Sequence, residues 1–358
     1  MMFLDANAHV PLSKKAVEAG IQFQKSLAAH GHPSSLSGCG RAAATALEES
    51  RAKIAELIGA KSPNQIIFTS SCTQAADWGL RLYQISTECE NVLAENIRCS
   101  PFEHSSVSSL TKNFPVLPCD SDGVLATPHN KCNLICIHLQ NEMGTIQPIF
   151  DFKLNSLFSD FSQSLGKISL PKLQDTQVEV GIFGAHKFGG PGGFGWIYLK
   201  DPEGWEFYNN QSSYFLDRPG SPDVAGAVMT AAALEEALET LPTRAMKMAA
   251  FQETLEHGLE AMGLEIIGKK AHRSFNTTLV GRVKQAPQTL LELSEAGIYV
   301  GLGSACSSFH TGVSPLMQTL GKPYTTDQLL RISQWGDYDH KDALKFLEIF
   351  AKIQKDKS

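Results

Sequence analysis

The chain has 358 residues, a formal net charge of −6, and a composition that is 42% hydrophobic, 19% charged and 8% aromatic. That length fits roughly two domains with a core that needs no metal or disulfide staple, which speaks against disordered, fibrous and repeat classes. The acidic balance offers no basic face for nucleic acid, no apolar stretch could span a bilayer, and Met1-Met2-Phe3-Leu4-Asp5 lacks signal-peptide features, so a cytoplasmic location is expected.

A helical pattern runs from Arg41 to Ile58, where Ala43, Leu47, Ile54, Leu57 and Ile58 recur at three- and four-residue spacing, with Gly59 as the stop. The β-rich run Gln65–Thr69 follows, then a Ser/Thr turn and a second helix from about Thr73 to Tyr83. Apolar runs at Asn91–Ile97, Pro115–Leu117 and Asn133–Leu139 alternate with these helices and predict an α/β fold with a mostly parallel sheet. Strands at Val178–Phe183 and Phe194–Leu199 flank a glycine cluster. A long helical stretch from about Pro222 to Leu259, broken near Pro242, leads to a second domain with strands at Thr277–Val280 and Ile298–Val300 and a helix at Asp342–Lys355.

Eight cysteines (39, 72, 89, 99, 119, 132, 136 and 306) form no CxxC pair and no zinc-finger spacing, so no metal is expected. Most read as small buried hydrophobes. Cys306 differs, because Gly303-Ser304-Ala305-Cys306-Ser307-Ser308 reads as an exposed loop, giving a nucleophilic thiolate the access it needs.

Lys187 stands between a hydrophobic strand and the turn Gly189-Gly190-Pro191-Gly192-Gly193. A partly buried lysine loses its charge readily and can form a Schiff base; a solvated lysine on a hairpin accounts for the same residues equally well. Asp160 and Gln163 could meet one flat ligand from a strand end, or Asp160 could be an ordinary cap. Ser70-Ser71-Cys72-Thr73-Gln74 opens a helix, which suits either a phosphate cradle or a plain N-cap. His104 and the segment Asn141-Glu142-Met143-Gly144 are weak signals alone.

Their order along the chain is more telling. Leu4-Asp5-Ala6-Asn7-Ala8, Gly31-His32-Pro33-Ser34-Ser35, Gly40-Arg41, Phe68-Thr69-Ser70, Glu103-His104 and Asn141 through Pro148 come first. Asp160/Gln163, Ala185-His186-Lys187, Arg218-Pro219-Gly220-Ser221 and Gly303-Ser304-Ala305-Cys306 follow. Together they resemble the cysteine desulfurases of the class V aminotransferase superfamily, pyridoxal 5′-phosphate (PLP) enzymes of fold type I.

The resemblance implies an α/β fold type I chain with a seven-stranded-type sheet in a large domain over 13–240. A smaller α+β domain would combine 1–12 with 241–358. It implies that Lys187 carries PLP, Asp160 pairs with the pyridinium nitrogen, Gln163 contacts the phenolic oxygen and His104 stacks on the ring. Ser71, Cys72, Thr73 and His186 would hold the phosphate, with Ser221 reaching it across a homodimer. Asn141 would lie beside the cofactor, and Asn7, Asn141 and Arg331 would bind the substrate, Arg331 through its carboxylate. L-cysteine would yield L-alanine and a persulfide on Cys306, passed to a sulfur-acceptor protein such as an iron–sulfur scaffold, a tRNA-modifying enzyme or a dedicated carrier. Selenocysteine lyase, another class V lyase or aminotransferase, and an inactive PLP-binding scaffold are the alternatives. The chain departs from the family at Gly184 (usually serine), His9 (usually threonine), His32 (usually asparagine), in a short segment between Pro148 and Asp160, and in Ser333-Gln334-Trp335-Gly336-Asp337 after Arg331.

Overall fold

The computed structural model describes residues 1–89, 97–128, 131–202, 221–303 and 314–357. Its larger sheet contains β2 (Ile66–Thr69), β3 (Ile97–Cys99), β4 (Asn133–Ile137), β5 (Ser156–Asp160), β6 (Val178–Gly184) and β7 (Gly195–Leu199), in the order β2-β7-β6-β5-β4-β3. The described residues thus supply six strands where seven were expected. Only β7 runs antiparallel to its neighbours β2 and β6; the other pairs are parallel. A mostly parallel sheet needs cover on both faces, and residues two apart along a strand share a face. Ile67, Phe158, Val180, Ile182 and Ile197 accordingly pack with Ala75, Ala76, Leu80 and Tyr83 of α3 (Cys72–Cys89). Phe68, Phe183, Trp196 and Tyr198 face the other way, in one core with Leu47 and Ile54 of α2 (Gly38–Ile58). α2 ends as the sequence predicts, on Gly59 at φ +67°. The run at Pro115–Leu117 forms only a single bridge, between Cys99 and Val116.

A second sheet has the order β1-β10-β11-β9-β8, from β1 (Met2–Leu4), β8 (Glu265–Ile267), β9 (Thr277–Gly281), β10 (Ile298–Leu302) and β11 (Leu330–Ser333). Its core gathers Leu4, Val280, Ile298, Leu330 and Ile332 against Phe251 and Leu255 of a long helix and Phe346 and Phe350 of the C-terminal helix His340–Lys355.

That long helix corrects the sequence reading. It runs unbroken from Val224 to Ala261 with Pro242 inside it. A proline removes one helical hydrogen bond and ordinarily kinks or breaks a helix. Here the flanks are anchored in different cores, Leu234 and Ala237 in one, Met248, Phe251 and Leu255 buried beyond the proline. Arg244 Nη2 also donates to the Ala237 carbonyl at 2.5 Å, within the turn that Pro242 disturbs. Tertiary packing outweighs the local defect. No helix among the described residues is long and apolar enough to cross a membrane.

Candidate active site

The parallel strands bring their C-terminal ends to one edge of the larger sheet, and the segments leaving them carry the candidate residues. Ligands in open α/β sheets gather at such an edge. Ser71 to Thr73 follow β2, His104 follows β3, Asn141 follows β4, Gln163 follows β5 and Lys187 follows β6. Ladder pairing sets Asp160 beside both Ile137 and Ile182.

A cavity of about 490 Å³ is lined by Asn7, His104, Asn141, Lys187 and Arg331, joined by Glu103 and Glu142. Lys187 sits in a single 3-10 turn, Ala185–Lys187, and not on a solvated hairpin tip. Its Nζ donates to the carbonyls of Asn7 (2.8 Å) and Ala8 (3.0 Å). Burial, then the Arg331 guanidinium, lowers its pKa from the usual lysine value, outweighing Cys72 and Asp160. An amine so placed is readily deprotonated and nucleophilic.

Arg331 is buried on β11, its Nη2 2.7 Å from Asp5 Oδ1. Its Nε is buried beside Gly301 without a hydrogen-bond partner, and the residue lines the cavity. Gly301 makes this approach possible: a Cβ there would lie 2.7 Å from Asp5 Oδ1 and 2.8 Å from Arg331 Nη2.

His104 caps a short helix, Ser105–Ser108, with Nδ1 accepting from Ser106 N at 3.2 Å. That bond assigns the ring proton of the neutral form to Nε2. Burial lowers its pKa, with Asp160 opposing and Lys187 reinforcing. Glu103 Oε1 accepts from Ile137 N at 2.6 Å, while Oε2 is buried without a partner. Burial, and to a lesser degree the nearby Asp160 charge, raises the Glu103 carboxyl to about 8.

At the start of α3, Ser71 Oγ accepts from Gln74 N at 3.1 Å, so this hydroxyl does serve as a helix cap. Cys72 Sγ lies 2.9 Å from Ser162 Oγ, and Thr73 is exposed. Gly184 borders the same place: a Cβ there would meet Cys72 Cβ at 3.1 Å and His186 Cε1 at 3.3 Å. A side chain at 184 would therefore press on the Cβ of Cys72 and on the His186 ring. His9 stacks on His186 at 5.8 Å between ring centroids, and the His186 imidazole falls to about 4 through burial and the Lys187 charge. The run after Arg331 is structural, since Ser333 Oγ accepts from Asn7 N at 3.0 Å and Trp335 lies 3.9 Å under the Arg244 guanidinium.

Asp160 Oδ1 accepts from Ser162 N at 2.8 Å. Gln163 reaches Asn7 and Lys167 rather than opening directly into the cavity. Ser221 is exposed before the long helix and is not among the cavity residues. Cys306 lies outside the described residues. Sequence reasoning gave no role to Lys167 or Glu142; the spacing of Gln163 and Lys167, four apart on a tight turn, is the signal that could have marked the former.

An amine of lowered pKa, a carboxylate at a strand end, a helix N-terminus and an imidazole lie near one another here, a donor set that fits a phosphorylated pyridine aldehyde. The comparisons agree. The aminotransferase class-V family matches residues 2–346. The chain belongs to that family, whose members typically depend on PLP. It is 27% identical over 348 residues to the cysteine desulfurase IscS of Dictyoglomus turgidum, covering 90% of this chain and 86% of that one. It is 28% identical over 349 residues to a cysteine desulfurase of Cereibacter sphaeroides, covering 90% and 88%. Its fold matches a NifS-like protein with a TM-score of 0.81 at 26% identity over 98% of both chains. It also matches the apo cysteine desulfurase of Thermococcus onnurineus, with a TM-score of 0.76 at 18% identity over 99% of this chain and 94% of that one. The architecture is fold type I.

Proposed function

We propose that the protein is a PLP-dependent L-cysteine desulfurase that delivers sulfur, through Cys306, to an acceptor protein. The observation that carries this reading is the pairing of Lys187 and Arg331 on one cavity, a low-pKa amine beside a carboxylate clamp. The names of the curated relatives support the choice of substrate.

Bound PLP would supply an electron sink for the pair of electrons left when the substrate α-proton departs. Lys187 would hold the cofactor and carry that proton. Asp160 would keep the pyridine nitrogen protonated, with the start of α3 and His186 around the phosphate. Arg331 would bind the substrate carboxylate with the donors that Asp5 leaves unused. His104 would offer its Nε2 proton toward the cavity. Cys306 would accept the sulfur as a persulfide, with alanine as the other product. The division into 13–240, and 1–12 with 241–358, fits the two sheets; its internal boundary falls within the long helix, next to Pro242. Ser221 would act in the partner subunit of a homodimer.

The test is direct. Protein loaded with PLP should show a visible absorbance band and release alanine from L-cysteine, and Lys187→Ala should lose both. Full turnover in Lys187→Ala would discard the assignment.

A further inference from the structure

The segment that leaves β11 reaches back to the larger sheet. Trp335 lies just beyond the strand, and the Arg244 guanidinium sits 3.9 Å over its ring. Arg244 is buried, and its four hydrogen bonds all go to neutral oxygens. Nη1 donates to Trp335 O at 3.2 Å, and Nη2 to Gly166 O at 2.6 Å and Ala237 O at 2.5 Å. Nε donates to Thr240 Oγ1 at 3.0 Å. Only a planar fork of donors can stack on a ring and bond several carbonyls at once. Gly166 belongs to the turn that follows β5, so one side chain ties the exit of β11 to the exit of β5.

Two glycines make room for it. A Cβ on Gly336 would lie 2.6 Å from Arg244 Cβ, and one on Gly166 would lie 3.1 Å from Phe188 Cβ and 3.3 Å from Trp335 Cη2. Phe188 directly follows Lys187. Trp335 therefore packs where the turn from β5 meets the residue after the candidate cofactor lysine.

Arg331 needs such a tie. Its ladder partners on β9 and β10, and Asp5 beyond β1, all go with the second sheet. They orient the guanidinium within that sheet and leave its distance from Lys187 to whatever joins the two sheets. The Asn7 carbonyl, which accepts from Lys187 Nζ, is one join. Arg244 is the join made to the chain of β11 itself, the strand that carries Arg331.

We propose that Arg244 and Trp335 are positioning residues: together they clasp the end of β11 to the turn after β5, so that Arg331 stands at the distance from Lys187 that the substrate carboxylate requires. The proposal rests on the reading of Arg331 as the carboxylate clamp.

The experiment compares two ligands of the PLP-loaded protein, L-alanine and ethylamine, which is the same amine without the carboxylate. Binding is followed by the change in the visible band, alongside KM and kcat for L-cysteine. Arg244→Met keeps an apolar stem and no donor. It should weaken L-alanine and raise KM by roughly three- to ten-fold, less than Arg331→Ala does, with kcat little changed. Ethylamine binding should not change, whereas a general loosening of the fold would weaken both ligands. Combining Arg244→Met with Arg331→Ala should cost no more than Arg331→Ala alone, because the clasp acts through the clamp. Trp335→Leu is the second variant should Arg244→Met not fold, and the same selective loss is expected. Trp335→Phe keeps a ring under the guanidinium and should recover most of it. Equal weakening of both ligands, or unchanged L-alanine binding in Arg244→Met and Trp335→Leu, would overturn the proposal while sparing the clamp. Unchanged L-alanine binding in Arg331→Ala would overturn the clamp and the proposal with it. No visible band in the parent would remove the cofactor assignment and both readings.

Discussion

Asp5 and Arg331 meet at 2.7 Å, although 326 positions separate them in the chain. Asp5 follows β1, whose ladder with β10 brings it beside β11, where it bridges to Ser333. The pair joins the start of the chain to the cavity wall and holds the guanidinium in one orientation. The Asp5 side chain is 24% exposed, so water can take over its carboxylate when the guanidinium is removed.

Arg331→Ala should therefore act mainly on substrate binding. A lost charge-assisted carboxylate contact costs about 1.5–3 kcal/mol, so KM for L-cysteine should rise roughly ten- to a hundred-fold. Asp5→Asn keeps an acceptor for Nη2 and should raise KM by less. Steady-state kinetics decides the point, and an unchanged KM in Arg331→Ala would assign the clamp elsewhere.

Gly184 and Cys72 form a matched pair. Restoring the family serine in Gly184→Ser should overpack the start of α3, where the Cys72 Cβ is fixed by its helix, and destabilise by about 1–3 kcal/mol. Cofactor affinity should fall with it. Adding Cys72→Gly, which removes that Cβ, should recover much of both, as read by thermal melting and PLP titration. Equal losses in the single and double variants would show that the space at 184 is unrelated to Cys72.

Glu103 predicts a pH dependence of stability. Its folded pKa is raised from 4.5 to about 8, so between those values the native state keeps a proton that the unfolded chain has released. Stability should fall as pH rises through that window, by at most about 1.4 kcal/mol per pH unit from this group. Glu103→Gln preserves the acceptor for Ile137 N and carries no charge, so its urea midpoint should change less between pH 6 and pH 8. An identical pH slope in parent and variant would place the Glu103 carboxyl in its ordinary range.

Much of this architecture was legible because burial leaves a period. Ile67 against Phe68, and Ile182 against Phe183, alternate between two cores, and α2 stops on a left-handed Gly59. Pro242 was misread because the packing that holds the long helix across it comes from two cores distant in sequence. The candidate site was legible only as an ordered set of short segments, each ambiguous alone. What the sequence could not show is the hub at Asn7, where Lys167, Gln163, Lys187, Asn276 and Thr277 converge. Those contacts depend on how two sheets meet, and no local spacing encodes them. Ser71 carried two readings, and its hydroxyl is found capping α3.

The central claim is that sulfur leaves L-cysteine and comes to rest on Cys306, the cysteine whose surroundings in sequence are all small residues. A thiolate can attack the substrate sulfur; a serine hydroxyl cannot replace it at neutral pH. The most direct measurement is peptide mass spectrometry of the PLP-loaded protein after brief exposure to L-cysteine, in the parent and in Cys306→Ser. The parent should carry one added sulfur on the peptide containing Cys306, while Cys306→Ser should still bind PLP but neither carry that sulfur nor release alanine. Added sulfur on Cys72 or Cys99 instead, or undiminished alanine release by Cys306→Ser, would contradict the account.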